Sequence, residues 1–308
     1  MNLPNLLIAG VPKAATGSLF AYLGQHPAVC ASSRKEIKYF SPDAPDGRSR
    51  PLEWYERFFA HRAGEPFALE ATPSYCYMGP RVIEAIGSSL ERPRVIWILR
   101  DPVDRLWSAY TFQRSLGHLP AGIDTFEAYI DACIAERTVH PRVLDQGSFK
   151  GLSIGMYGEH LPAWDEAFSE DLRVLFFDDL AADPDQVVRG VCGWLGIDAS
   201  VVDGFAWEPH NPTVHPRSVT LARGAATARG WSKRLLRRAP GLRERLRDTY
   251  LRANAGSLRE RPRTETTERL RTLYAGSNAV VMNVARRRGM TPLPHWLEPP
   301  QPSGTNPA

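Results

Sequence analysis

Long apolar runs are missing from this 308-residue chain. The apolar stretch Leu6 to Ala9 has no basic flank and is far shorter than a signal h-region or the roughly 20 residues of a membrane span. The expectation is therefore a cytoplasmic chain without an export or insertion signal. Cysteine is sparse too: Cys30, Cys76, Cys133 and Cys192 lie far apart, with no C-x-x-C spacing. That excludes a disulfide-dense secreted scaffold and fits reduced thiols. No repeat of fixed period occurs, which excludes a solenoid or a propeller.

What is present is enough apolar residue, 43%, to bury a large core. The formal charge is only +4, but it is unevenly spread. Between Arg217 and Pro262 stand thirteen Arg or Lys residues against Glu244, Asp248 and Glu260, so the remainder is net acidic. Leu235, Leu242, Leu246 and Tyr250 are spaced there for one helical face, which makes 217–262 a basic helical segment. Three roles stay open for it: a solvated face with snorkelling arginines, recruitment of an anionic acceptor, or peripheral contact with a membrane. Nucleic-acid binding is disfavoured, because no recognisable module or stacking-aromatic array accompanies the charge. Residues 297–308 end in P-P-Q-P-S-G-T-N-P-A and read as a flexible tail, leaving 1–296 as one domain.

Short apolar runs alternate with longer helical patterns. Asn5 to Ala9, Phe67 to Ala71, Arg94 to Leu99 and Leu172 to Phe177 read as strands. Ser18 to Gln25, Pro80 to Leu90, Val103 to Ser115, Thr125 to Glu136, Met156 to Phe168 and Pro184 to Leu195 read as helices. The alternation predicts an α/β fold, a central parallel sheet flanked by helices, with ligands at the carboxyl ends of the strands.

The first such end is I-A-G-V-P-K-A-A-T-G-S-L. It places Lys13, Ala14, Ala15, Thr16, Gly17 and Ser18 where a strand turns into a helix, and backbone N–H groups there suit a phosphate. The lysine precedes the small residues, so this is not the G-x-x-x-x-G-K-[ST] of a nucleoside triphosphatase or P-loop kinase. The plainer alternative is a Gly/Ala turn with a surface lysine. The second end is V-I-W-I-L-R-D-P-V-D-R-L-W-S-A-Y. Arg100 closes a strand, Pro102 opens a helix, and Ser108 follows two turns later. Arginine and serine suit a second phosphate, although Arg100 could equally pair with Asp101 or Asp104 and Ser108 lie on a helix surface.

Taken together, K-A-A-T-G-S-L and L-R-D-P-V-D-R-L-W-S-A-Y resemble the sulfotransferase family that uses 3'-phosphoadenosine 5'-phosphosulfate (PAPS), particularly its bacterial members and its carbohydrate, heparan sulfate type branch. K-E-I-K-Y-F at Lys35 to Phe40 is similar to that family's base motif, and L-E-A-T-P-S-Y at Leu69 to Tyr75 to its E-x-T-P-x-Y strand. The resemblance implies a P-loop-like fold in which the lysine loop holds the 5'-phosphosulfate and Arg100 with Ser108 holds the 3'-phosphate. It further implies sulfuryl transfer without a metal, to a hydroxyl, or less readily an amine, of a small-molecule, carbohydrate or lipid-linked acceptor.

On this reading Lys13 stabilises the leaving oxygen and Ser108 tunes that lysine. Glu36 is the general base, against the alternative of an exposed Glu in a charge cluster. Glu70 and Lys38 are assigned to the acceptor side, with Glu70 also the second candidate base. Tyr157, Arg259 and Arg261 are candidate contacts of the donor. Two positions depart from the family pattern: Ala15 stands where a glycine is usual, and Ala71 where some relatives carry lysine. A non-catalytic nucleotide-binding module on the same fold is the competing reading.

Overall fold

The computed structural model describes residues 2–41, 50–140, 149–208, 215–216, 255–256 and 262–298. Five strands form one sheet: β1 (Leu6–Gly10), β2 (Val29–Ala31), β3 (Phe67–Ala71), β4 (Arg94–Leu99) and β5 (Leu172–Phe176), in the order β2-β3-β1-β4-β5. Every neighbouring pair is parallel, with Leu6 opposite both Leu69 and Arg94. A parallel sheet is covered on both faces, and β1, as its centre, is buried at all five positions of L-L-I-A-G. This is the α/β arrangement expected from the alternation of runs. The edge strand β2 carries no signal of its own, because three residues are too few to show a period.

Among the described residues the helices are α1 (Thr16–Leu23), α2 (Leu52–Glu56), α3 (Pro80–Ser89), α4 (Pro102–Leu116), α5 (Phe126–Val139), α6 (Gly151–Ile154), α7 (Leu161–Phe168), α8 (Phe177–Ala182), α9 (Pro184–Leu195) and α10 (Thr264–Arg287). Local chemistry explains several boundaries. Asp183 caps α9 by accepting from the Gln186 N–H, Pro184 opens it, and Gly196 closes it in a left-handed conformation. Thr125 caps α5 through the Ala128 N–H at 3.1 Å. The helix expected over Met156 to Phe168 is broken: Tyr157–Glu159 forms a 3₁₀ turn and α7 starts only at Leu161, with Pro162 in its first turn. Phe177 opens α8 rather than ending β5.

The residues cluster into two compact units. One draws on 1–102, 156–210 and 272–308 and contains the whole sheet. Within it Trp97 on β4 meets Trp164 on α7 edge-on at 5.7 Å. The Gly158 N–H donates to Ser277 Oγ at 2.9 Å, and a Cβ at Gly158 would lie 2.4 Å from the Ser277 carbonyl, so only glycine lets this turn reach α10.

The other unit draws on 103–155 and 211–271. There the buried Arg105 donates to the Gly151 carbonyl, and Thr266 donates to Glu127 at 3.0 Å. Two short strands, β6 (His215–Pro216) and β7 (Ala255–Gly256), pair antiparallel in this unit. Among the described residues no helix is long and apolar enough to cross a membrane.

Candidate active site

The strand order sets the location. From β1 the chain moves toward β3 and the β2 edge, whereas from β4 it moves to β5 on the other side. Adjacent strands whose connections leave in opposite directions open a crevice at their carboxyl ends, where ligands of α/β sheets bind. The loops after β1 and β4 meet there, and they carry Lys13 and Arg100.

The first loop is tightly built. Val11 N–H donates to the Ile98 carbonyl at 3.1 Å, carrying the β1–β4 contact past the end of β1. Gly10 is needed for close approach, since a Cβ there would lie 2.7 Å from the Cys76 Cβ. Lys13 and Ala15 both have left-handed backbones, φ 74° and 59°. Ala15 is the N-cap residue of α1 and offers no side-chain cap, so the helix opens with backbone donors directed past it. Thr16 and Ser18 are buried in that first turn. The backbone therefore makes the turn that a glycine at position 15 would make more easily.

Arg100 is brought to the same place. Its guanidinium donates from Nη1 to the Lys13 carbonyl at 3.1 Å and stacks on the Phe177 ring, 4.3 Å from the centroid. Such a contact orients the guanidinium. Tyr157 is fully buried, edge-on to Trp296, and its hydroxyl donates to the Arg100 carbonyl at 2.9 Å. Its ring lies in the core, and it braces the end of β4 through the backbone. Ser108 is buried on α4, in the second unit. Arg259 and Arg261 lie outside the described residues, as does the basic segment 217–262 apart from 255–256 and Pro262.

Glu36 and Lys38 stand in the loop after β2, both exposed and both left-handed, φ 58° and 61°. The Glu36 carboxylate pairs with Lys35 Nζ at 3.3 Å, with 48% of its side chain exposed. A carboxylate so placed is open to an incoming acceptor. Glu70 is the opposite case: it is 0% exposed, at the end of β3. Its carboxyl group accepts from the Tyr55 hydroxyl at 3.2 Å and from the Thr72 hydroxyl. Burial pushes it up to about 7, against the lowering effect of those hydrogen bonds. Burial likewise raises Tyr55 and Tyr75, and the nearby Glu70 raises them further.

Sequence reasoning did not single out Phe177, Tyr55, Thr72 or Tyr75. Thr72 and Tyr75 lie inside the L-E-A-T-P-S-Y run, which was the available signal. Phe177 and Tyr55 sit far along the chain from the residues they hold.

A parallel sheet with a cationic, glycine-containing strand-to-helix loop beside a strand-end arginine places this chain among α/β proteins of the phosphate-loop type. The family model described as the sulfotransferase domain matches residues 3–215, so the chain belongs to the sulfotransferase domain family. It is 30% identical over 206 residues to the bifunctional heparan sulfate N-deacetylase/N-sulfotransferase 2 of Homo sapiens, covering 64% of this chain and 22% of that protein. It is 29% identical over 204 residues to the heparan sulfate glucosamine 3-O-sulfotransferase 3B1 of Mus musculus, covering 66% and 48%. With the membrane-associated sulfotransferase kil1 of Dictyostelium discoideum it shares 34% identity over 113 residues, 36% of this chain and 23% of that one. The chain thus spans less than half the length of these relatives. A sulfotransferase from Alicyclobacillus acidocaldarius has the same fold, with a TM-score of 0.65 at 20% identity over 93% of this chain and 97% of that one.

Proposed function

We propose that this chain transfers a sulfuryl group from PAPS to a hydroxyl of a carbohydrate-class acceptor. The observation that carries the reading is the convergence of Lys13 and Arg100 at the β1–β4 crevice, joined by the Arg100 to Lys13 carbonyl hydrogen bond. A nucleotide with phosphates on both sides of its ribose needs two cationic anchors, and the residues present fit that need. Lys13 with the opening turn of α1 would hold the 5' side. Arg100 would hold the 3'-phosphate. The names of the heparan sulfate relatives support a sugar acceptor.

When bound, the donor supplies an activated sulfuryl group whose bond to the bridging oxygen breaks as the acceptor oxygen bonds to sulfur. Catalysis of such a displacement rests on positioning and charge stabilisation. Lys13 places positive charge where negative charge grows on the bridging oxygen. Glu36, exposed at the site, takes the acceptor proton, a role worth about 10² to 10⁴ in rate. Calorimetry with adenosine 3',5'-bisphosphate in the absence of Mg²⁺, followed by transfer of labelled sulfate to a panel of sugars, tests the reading. Tight binding and transfer are expected. Absence of nucleotide binding by the folded protein overturns it, and binding without transfer to any acceptor favours a non-catalytic module.

A further inference from the structure

The loop that carries Glu36 has no local reason to hold its shape. Glu36 and Lys38 both occupy the left-handed region, which is unfavourable for a non-glycine residue and persists only where the surroundings over-determine it. Those surroundings are the end of β3 and the turn after it. The Glu36 N–H donates to the Ala71 carbonyl at 2.9 Å. The Lys38 N–H donates to Thr72 Oγ1 at 3.2 Å and the Phe40 N–H to the Tyr75 hydroxyl at 3.3 Å. One of these acceptors is linked to Glu70, because the Thr72 hydroxyl itself donates to that carboxyl, whose other oxygen takes the Tyr55 hydroxyl. Ile37 and Phe40 are buried on either side of the exposed Lys38. The loop backbone is thus tied to the end of β3 and the turn after it, by one strand carbonyl and two side-chain hydroxyls.

We infer that Glu70 is a positioning residue: its buried carboxyl, coupled to Thr72, fixes the backbone of Glu36 to Lys38 and so aims the Glu36 carboxylate at the acceptor. Being fully buried, Glu70 neither meets the acceptor nor takes its proton. The inference rests on the base role proposed for Glu36.

Protonation would turn one Glu70 oxygen from acceptor to donor and so disturb its bond with the Tyr55 or the Thr72 hydroxyl. The titratable groups facing it are Tyr55, Tyr75 and Glu36. Both tyrosines are held above their ordinary range and stay neutral near neutral pH, so Glu70 is the buried member of this group that changes charge there.

The test compares the wild type with Glu70→Gln and Thr72→Val. Glu70→Gln is expected to lower kcat about 10- to 100-fold, the size of effect that a misplacement of about 1 Å produces. The acceptor KM and adenosine bisphosphate affinity should stay within about two-fold, since the groups that bind the substrates are untouched. The acid limb of the wild-type kcat–pH profile near neutrality should vanish in Glu70→Gln, whereas a merely structural defect would scale the whole profile. Hydrogen exchange at the Lys38 amide should quicken about ten-fold or more in either variant, a readout independent of turnover. A folded Glu70→Gln with wild-type kcat and a protected Lys38 amide overturns the inference. If Glu70→Gln does not fold, Thr72→Val decides by the same measurements. Loss of amide protection in a protein that never binds the bisphosphate would instead indict the proposed function and leave the loop mechanics standing.

Discussion

The lysine loop at residues 10–16 and the base loop at residues 35–40 meet the same difficulty by different means. Each bends through two non-glycine residues in the left-handed region, Lys13 and Ala15 in one, Glu36 and Lys38 in the other. The lysine loop is held chiefly by what it joins: a fully buried central strand before it and a helix directly after it. The base loop joins an edge strand of three residues to a five-residue helix, and is held by hydrogen bonds to residues about 35 positions away. A conformation set by neighbours in sequence is robust to distant change. One set by a buried carboxyl and two hydroxyls depends on their protonation and presence.

That contrast can be broken most severely at the two reacting side chains. Lys13→Ala and Glu36→Gln are each expected to cut turnover by roughly 10² or more, in line with the worth of a charge stabiliser or a general base. Both should melt within a few degrees of wild type, since neither side chain belongs to the core. Steady-state rates beside thermal melts check this, and wild-type turnover in Glu36→Gln would remove it from the base role.

Next in size is the pH dependence of stability in the base-loop support. Glu70 is raised from 4.5 to about 7 on folding, so the folded protein binds more protons than the unfolded chain between those values. Stability from this group is full below about pH 4.5 and is lost as pH rises through about 7. At about 1.4 kcal/mol per pKa unit the loss is roughly 3 kcal/mol. Urea denaturation at pH 5 and pH 8 should show that fall in the wild type and its absence in Glu70→Gln. An equal fall in both would mean that another group is responsible.

Gly10→Ala probes the lysine loop with a slightly smaller effect. The added methyl meets the Cys76 Cβ at 2.7 Å between packed elements, and overpacking of this kind costs about 1–3 kcal/mol. A lowered midpoint in denaturant together with weakened bisphosphate binding is expected. The smallest effect belongs to Ala15→Gly. It relieves a left-handed alanine but adds freedom to the unfolded chain, leaving a net gain of about 0–1 kcal/mol. A melting temperature that rises slightly or holds fits the backbone described for the loop, and a clear fall contradicts it.

Much of the sheet could be read in advance. β3 and β4 span the expected residues, and β5 ends one residue earlier than expected because Phe177 turns into α8. Their apolar runs are long enough and sharply bounded enough to show themselves. The 3₁₀ turn at Tyr157 was hidden because an amphipathic period continues across it, although Pro162 marks where α7 begins. The lysine loop and Arg100 were readable as motifs because each lies next to the strand that presents it. Tyr55 and Phe177 carried no such mark. A tyrosine within a short helix and a phenylalanine after a strand resemble any core aromatic until the chain folds them against Glu70 and Arg100.

Residue order alone determined the alternation of buried strands and helices, and with it the cationic loop after β1 and the arginine after β4, because periodicity and turn chemistry act over a few neighbouring residues. Tertiary structure decided which strand ends adjoin, that Arg100 reaches the Lys13 carbonyl, and that Glu70 is shut away beneath the loop it supports while Glu36 stays in water. Those outcomes depend on sheet order and on the loss of water around a single carboxyl group, and both arise only when distant segments pack together.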